Sequence, residues 1–133
     1  MADMFKLQVV TPDKIFYTGE VSMVELTTTE GQIGVYANHI PMTSIVAPGV
    51  LKIHEGSELK RAALHSGFVE VLPDSVTILA EVVEWPAEID ANRAEEAMTR
   101  AERRIKDNKA ETDIVRAELA LKRAMTRLEV KGK

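Results

Sequence analysis

Glu84-Trp85-Pro86-Ala87-Glu88-Ile89-Asp90 divides the chain into two stretches with different hydrophobic periods. Upstream the period is two. Phe5, Leu7 and Val9 alternate with Lys6 and Gln8, Leu51 and Ile53 with Lys52 and His54, and Val76, Ile78 and Ala80 follow the same rule. Such alternation marks strands with one buried face. Turn formers separate the runs at Thr11-Pro12-Asp13, Thr18-Gly19-Glu20, Glu30-Gly31-Gln32, Ala47-Pro48-Gly49, Glu55-Gly56-Ser57 and Leu72-Pro73-Asp74. Gly supplies positive φ there and Pro pre-sets the turn. Short strands between recurrent turns predict a β-sandwich or flattened barrel over residues 1–86.

Downstream the period changes. Pro86 has no N–H for a strand ladder and ends the last strand. Two segments rich in Ala, Glu, Arg and Lys follow, without internal Gly or Pro. The first, about 90–106, carries Ala94, Met98, Ala101 and Ile105; the second, about 112–128, carries Ile114, Ala117, Leu121, Ala124 and Leu128. Steps of three and four residues make helical stripes with a heptad-like seam. Asp90 suits the N-cap of the first helix, and Thr112 or Asp113 that of the second. The short polar link around 107–111 predicts an antiparallel two-helix hairpin over 87–133.

Composition narrows the function classes. The chain has 133 residues and a net charge of −4, which argues against a general nucleic-acid partner. It has no cysteine, so disulfides, thiolate ligands and a cysteine nucleophile are excluded. The start shows no signal-peptide pattern, and no apolar run approaches the roughly 20 residues that span a bilayer. These features predict a protein that is intracellular or peripheral to a membrane. There is no Walker-type glycine loop, paired-carboxylate cluster or His-rich metal spacing, and His39, His54 and His65 stand far apart. No enzyme activity is expected, and no catalytic or metal-binding residue is assigned. Up to Pro86, 5 Lys and Arg stand against 11 Asp and Glu, and beyond it 12 stand against 10. An acidic domain of net −6 thus carries a basic arm of net +2.

The arm has the composition of a switch. Alanine seams bury little surface at about 0.8 kcal/mol per methylene, and helices of roughly 17 residues are marginal alone in water. Folding the arm at residues 108–111 brings Arg93 near Arg127 and Arg100 within a turn of Arg123. Unit charges about 6 Å apart repel by roughly 3 kcal/mol at an effective dielectric near 20. A polyphosphate converts that repulsion into charge-assisted, bidentate hydrogen bonds. The competing reading is a solvated face on which Glu95, Glu96, Glu102 and Glu118 neutralise the arginines locally.

A family resemblance rests on an ordered set of motifs. Val9-Val10-Thr11-Pro12-Asp13, Glu30-Gly31-Gln32-Ile33-Gly34-Val35, His39-Ile40-Pro41 and Ser66-Gly67-Phe68-Val69-Glu70-Val71 come first. Val76-Thr77-Ile78-Leu79-Ala80-Glu81, Ile89-Asp90-Ala91-Asn92-Arg93-Ala94 and the helix from Arg116 to Leu128 complete it. Together they resemble the epsilon subunit of bacterial F-type ATP synthases, over essentially the whole chain. The resemblance implies a ten-stranded β-sandwich followed by the hairpin, at the foot of the central stalk of a proton- or sodium-translocating ATP synthase. It implies a non-catalytic subunit that couples rotation to ATP synthesis and restrains ATP hydrolysis. The sandwich would bind the gamma subunit and the membrane rotor ring, and the extended arm the alpha and beta subunits. Membrane association would come only through the complex, at the cytoplasmic face of the cell membrane. By resemblance ATP is a regulatory ligand, with no cofactor required, and its contacts fall on Glu84, Ile89, Asp90, Arg93, Ala94, Arg100, Arg123 and Arg127.

The chain departs from the family where Ala37-Asn38-His39 replaces Pro-Gly-His and where His65-Ser66-Gly67 replaces Ser-Gly-Gly. Two other readings stay open: a purely structural stalk adaptor without nucleotide binding, and an unrelated helical-hairpin binding module.

Overall fold

The computed structural model describes the backbone of residues 3–107 and 111–132, and the side chains over those ranges except at 111–113. Eight strands come first: β1 (Phe5–Val10), β2 (Ile15–Val21), β3 (Met23–Thr28), β4 (Gly31–Tyr36), β5 (Met42–Val46), β6 (Gly49–Glu55), β7 (Glu58–Val71) and β8 (Ser75–Glu84). A single 3-10 turn at Pro86–Glu88 leads to α1 (Ala91–Asp107) and α2 (Glu111–Lys131). The strands run β2-β1-β8-β7-β5-β3-β4, with β6 bridging β3 and β7. All pair antiparallel except β1 with β8.

The period-2 reading holds at the core. Phe5, Leu7, Val9, Leu51, Ile53, Val76, Ile78 and Ala80 are all buried. The loop asparagine that stands in place of a family glycine, Asn38, takes a φ of 64°, a conformation that Asn tolerates better than most residues.

The family expectation of ten strands is corrected to eight among the described residues. One of the eight, β7, is 14 residues long and pairs with two different strands along its length. From Glu58 to Leu64 it pairs with β6, and from Gly67 to Val71 with β5. Between these halves the register against β8 shifts twice, at Leu64/Ser66 and Ser66/Gly67. Bulges bend a strand without ending it. Gly67 sits at the bend with φ of 149°, and a Cβ there would lie 2.0 Å from the Leu79 carbonyl oxygen.

The two helices pack against each other and against the sandwich. Asp90 caps α1 as expected, its Oδ1 accepting the Arg93 N–H at 3.1 Å. The seam is also as expected: Ala94, Ala101, Ala117 and Ala124 are buried, with Met98, Ile105, Ile114, Leu121 and Leu128 half-buried. Of the link expected at 107–111, Asp107 instead ends α1 and Glu111 opens α2, while residues 108–110 and the side chains of Thr112 and Asp113, the expected second caps, lie outside the described residues. The second helix runs past its predicted end near Leu128. Its last turn is held because Val130 packs with Ile89 and Ala63 in a small apolar cluster, flanked by Val50.

Where the chain leaves the sandwich it is clamped. Trp85 stacks on Phe16 with ring centroids 4.3 Å apart and meets the edge of Tyr17 at 6.4 Å. Its backbone N–H donates to Glu88 Oε1 at 2.8 Å.

Gly67→Ala combines a forbidden φ with a backbone collision and is expected to destabilise the sandwich by about 3 kcal/mol. Urea denaturation of the full chain measures this, and an unchanged midpoint contradicts the account of the bend.

Candidate functional site

Glu84 is the last residue of β8, immediately before the Trp85-Pro86 junction. Its carboxylate joins three elements. Oε1 accepts from Arg127 Nε of α2 at 2.7 Å and lies 3.0 Å from Nε2 of His65 on β7. Among the described residues, Oε2 takes no hydrogen bond, and neither do the terminal nitrogens of Arg127 donate one. One turn beyond Arg127, Lys131 Nζ donates to the Pro86 carbonyl at 3.0 Å. The C-terminal turns of α2 are thus tied by two cationic side chains to the point from which the arm departs.

The other predicted residues differ in burial and in partners. Ile89 and Ala94 are buried in packing. Asp90 is exposed, with one carboxylate oxygen committed to the cap of α1. Arg93 and Arg100 are exposed along α1, and Arg123 is half-buried on α2. Of the four arginine side chains, that of Arg127 alone is hydrogen-bonded to another predicted site residue among the described residues. Arg123 lines an open groove of about 1170 Å³ between α2 and the β3–β4 and β5–β6 segments, together with Lys122, Met125, Thr126 and His65. Of the eight predicted residues, Arg123 alone lines this groove.

His65 was not among the predicted site residues. Strict alternation along β7 buries Leu64 and turns His65 outward, but Ala62, Ala63, Leu64 and His65 are buried in succession. The β7 bulge leaves His65 without a register partner on β8 and turns its ring inward. The signal available in the sequence is the unalternating Ala62-Ala63-Leu64 run just ahead of Gly67, a pattern that marks an irregular strand.

Burial pushes the Glu84 carboxyl up, but hydrogen bonds from His65 and Arg127, reinforced by the guanidinium charge, outweigh it and hold the group below the usual carboxylate range. A carboxylate depressed in the folded state adds stability that is present above its unfolded pKa, about 4.3, and is lost as pH falls through the folded value. Acidification below about pH 4 is therefore expected to loosen the end of α2 while the sandwich persists. Amide NMR signals of Arg127 to Val130 report the change, and Glu84→Gln removes this pH dependence. Identical titration of the variant and the parent chain contradicts the assignment.

Comparison with known proteins places these features in a family. Residues 4–86 match the model for the beta-sandwich domain of the ATP synthase delta/epsilon chain, and residues 87–132 match its long alpha-helix domain. The ATP synthase epsilon chain of Caldanaerobacter subterraneus is 44% identical over 134 aligned positions, covering 100% of this chain and 97% of that protein. The epsilon chain of Halalkalibacterium halodurans is 46% identical, with 96% of each chain covered. A chain in the Euglena gracilis mitochondrial ATP synthase, OSCP/F1/c-ring in rotational state 1, superposes with a TM-score of 0.84 at 23% identity. That match covers 98% of this chain and 82% of the other and shows a shared fold. With both halves matched in order and relatives above 40% identity over nearly the full length, the chain belongs to the ATP synthase epsilon chain family.

Proposed function

We propose that the chain is a non-catalytic subunit at the foot of the central stalk, with a C-terminal arm that senses ATP and restrains hydrolysis when extended. The observation that carries the sensing role is the way Arg127 is held. Glu84 engages its Nε at 2.7 Å and leaves the terminal nitrogens of the guanidinium unbonded within the described residues. A guanidinium oriented through Nε presents its outer N–H groups as a fork suited to phosphate oxygens.

The arm closes as an antiparallel hairpin in this reading. The seam supports it: pairing Ala94 with Ala124 and Ala101 with Ala117, all buried, gives within two residues the register that puts Arg93 beside Arg127 and Arg100 near Arg123. The four arginines take the phosphates. Glu84 Oε2 and Asp90 accept from the adenine amino group or the ribose, over a floor formed by the buried Ile89 and Ala94. With no water-activating base assigned in the site, bound ATP acts as a signal and is left intact.

The sandwich docks on the gamma subunit and the membrane rotor ring. Ile45 on β5, Phe68 on β7 and Leu79 on β8 are direct register neighbours, and all three are more than half exposed. A contiguous apolar row with an aromatic at its centre has the character of an interface core, and we assign it to gamma. Among the described residues no helix is long and apolar enough to cross a membrane. This fits a peripheral position at the cytoplasmic face, held by the complex, with the extended arm reaching the alpha and beta subunits.

Calorimetric titration with ATP, with and without magnesium, is expected to give saturable binding that Arg123→Ala and Arg127→Ala each weaken at least about tenfold. No heat up to millimolar concentrations reduces the arm to a structural adaptor. Co-expression with gamma is expected to yield a stable complex that Phe68→Glu disrupts without unfolding the sandwich. Failure of the parent chain to co-purify with gamma contradicts the stalk assignment.

A further inference from the structure

His65 is 1% exposed, and its Nδ1 is buried without a hydrogen-bond partner among the described residues. Its only hydrogen bond among these residues runs from Nε2 to Glu84 Oε1, at 3.0 Å. An ionised carboxylate accepts hydrogen bonds and donates none. Nε2 therefore carries the proton, and in the neutral ring Nδ1 is bare. An imidazole buried with one nitrogen unsatisfied is an unfavourable arrangement, so the influence of this side chain is concentrated at Glu84.

That influence is geometric. Glu84 is a flexible side chain at a strand end, about a quarter exposed, and water competes for its carboxylate. His65 approaches from β7, within the sandwich, while Arg127 approaches from the arm, and both donate to the same oxygen. The rigid contact fixes where the mobile one lands. Without the imidazole, Glu84 is free to turn toward solvent and Arg127 loses the partner that orients its fork.

We propose that His65 is a positioning residue of the nucleotide site: it locks Glu84 in the rotamer that presents the outer nitrogens of Arg127 to phosphate. This rests on the reading of the arm as an ATP sensor. His65 stands where the family resemblance leads one to expect serine, whose side chain is too short to span the same gap, so the contact sets this chain's own affinity for nucleotide.

Calorimetric titration of the full chain with ATP tests the proposal across the parent chain, His65→Ala, His65→Gln, Arg127→Ala and the His65→Ala/Arg127→Ala double variant. His65→Ala is expected to weaken binding about tenfold. His65→Gln places an amide N–H near the position of Nε2 and is expected to restore affinity to within about threefold. In the Arg127→Ala background, removing His65 is expected to cost less than about threefold, since the part of its effect that passes through that arginine is already lost; a full tenfold loss there overturns the route through Arg127. Equal affinity of His65→Ala and the parent chain overturns the proposal and leaves ATP sensing intact. Absence of binding by the parent chain overturns both. Nitrogen-15 shifts of the imidazole in the parent chain give a check that does not depend on a variant folding: a protonated Nε2 with a bare Nδ1 is expected, and the opposite tautomer overturns the proposal.

Discussion

A single carboxylate oxygen takes contacts from both halves of this molecule. Glu84 Oε1 lies within hydrogen-bonding reach of one donor from the sandwich and one from the terminal helix, at the residue before the chain changes from strand to helix. The position is set by the fold on both sides. The β7 bulge turns His65 inward, and the stacking of Trp85 on Phe16 holds the junction still. On the helical side, Val130 seats against Ile89 and Ala63 and brings Arg127, nearly one turn earlier, into line. The ion pair depends on all of these, and it holds the arm together with the Val130 cluster and the Lys131 contact to Pro86.

The energetic asymmetry between the halves explains why such a link matters. The sandwich core is built from large side chains such as Leu7, Leu26, Leu51, Ile53 and Ile78, each fully buried. The fully buried seam positions of the arm are alanines. At about 0.8 kcal/mol per buried methylene, an alanine contributes little where a leucine contributes about 2 kcal/mol. The arm is therefore held less strongly than the sandwich is folded, and the contacts at its root carry a large share of its docking. In the proposed reading, a charged ligand with many acceptor oxygens tips that balance by acting on the same arginines.

Much of this was readable in the sequence. The change of period at Trp85-Pro86, the alternation of Phe5, Leu7 and Val9, the alanine seam and the Asp90 cap all rest on local rules that tertiary structure did not override. The strand count was not readable, because β7 passes through two register shifts without stopping, and a bulge leaves no break in composition. His65 was hidden for the same reason: a one-residue shift reverses which face a side chain occupies. The length of α2 also depended on a distant contact, that of Val130 with β7 and the junction. Among the site residues, spacing placed Arg93 near Arg127, and the contact of Arg127 with Glu84 was not anticipated. The buried places of Ile89 and Ala94, and the exposure of Arg93 and Arg100, follow from helix packing that spacing alone does not resolve.

The central claim is that nucleotide favours an arm docked on the sandwich through Glu84 and Arg127. The chain has no cysteine, so two introduced at exposed positions, Thr18 on β2 and Glu118 on α2, take spin labels selectively. Pulsed dipolar spectroscopy then gives the distribution of distances between sandwich and arm. A broad distribution that ATP collapses to one short distance, with no collapse in Arg127→Ala, is the predicted result. A distribution that ATP leaves unchanged contradicts it.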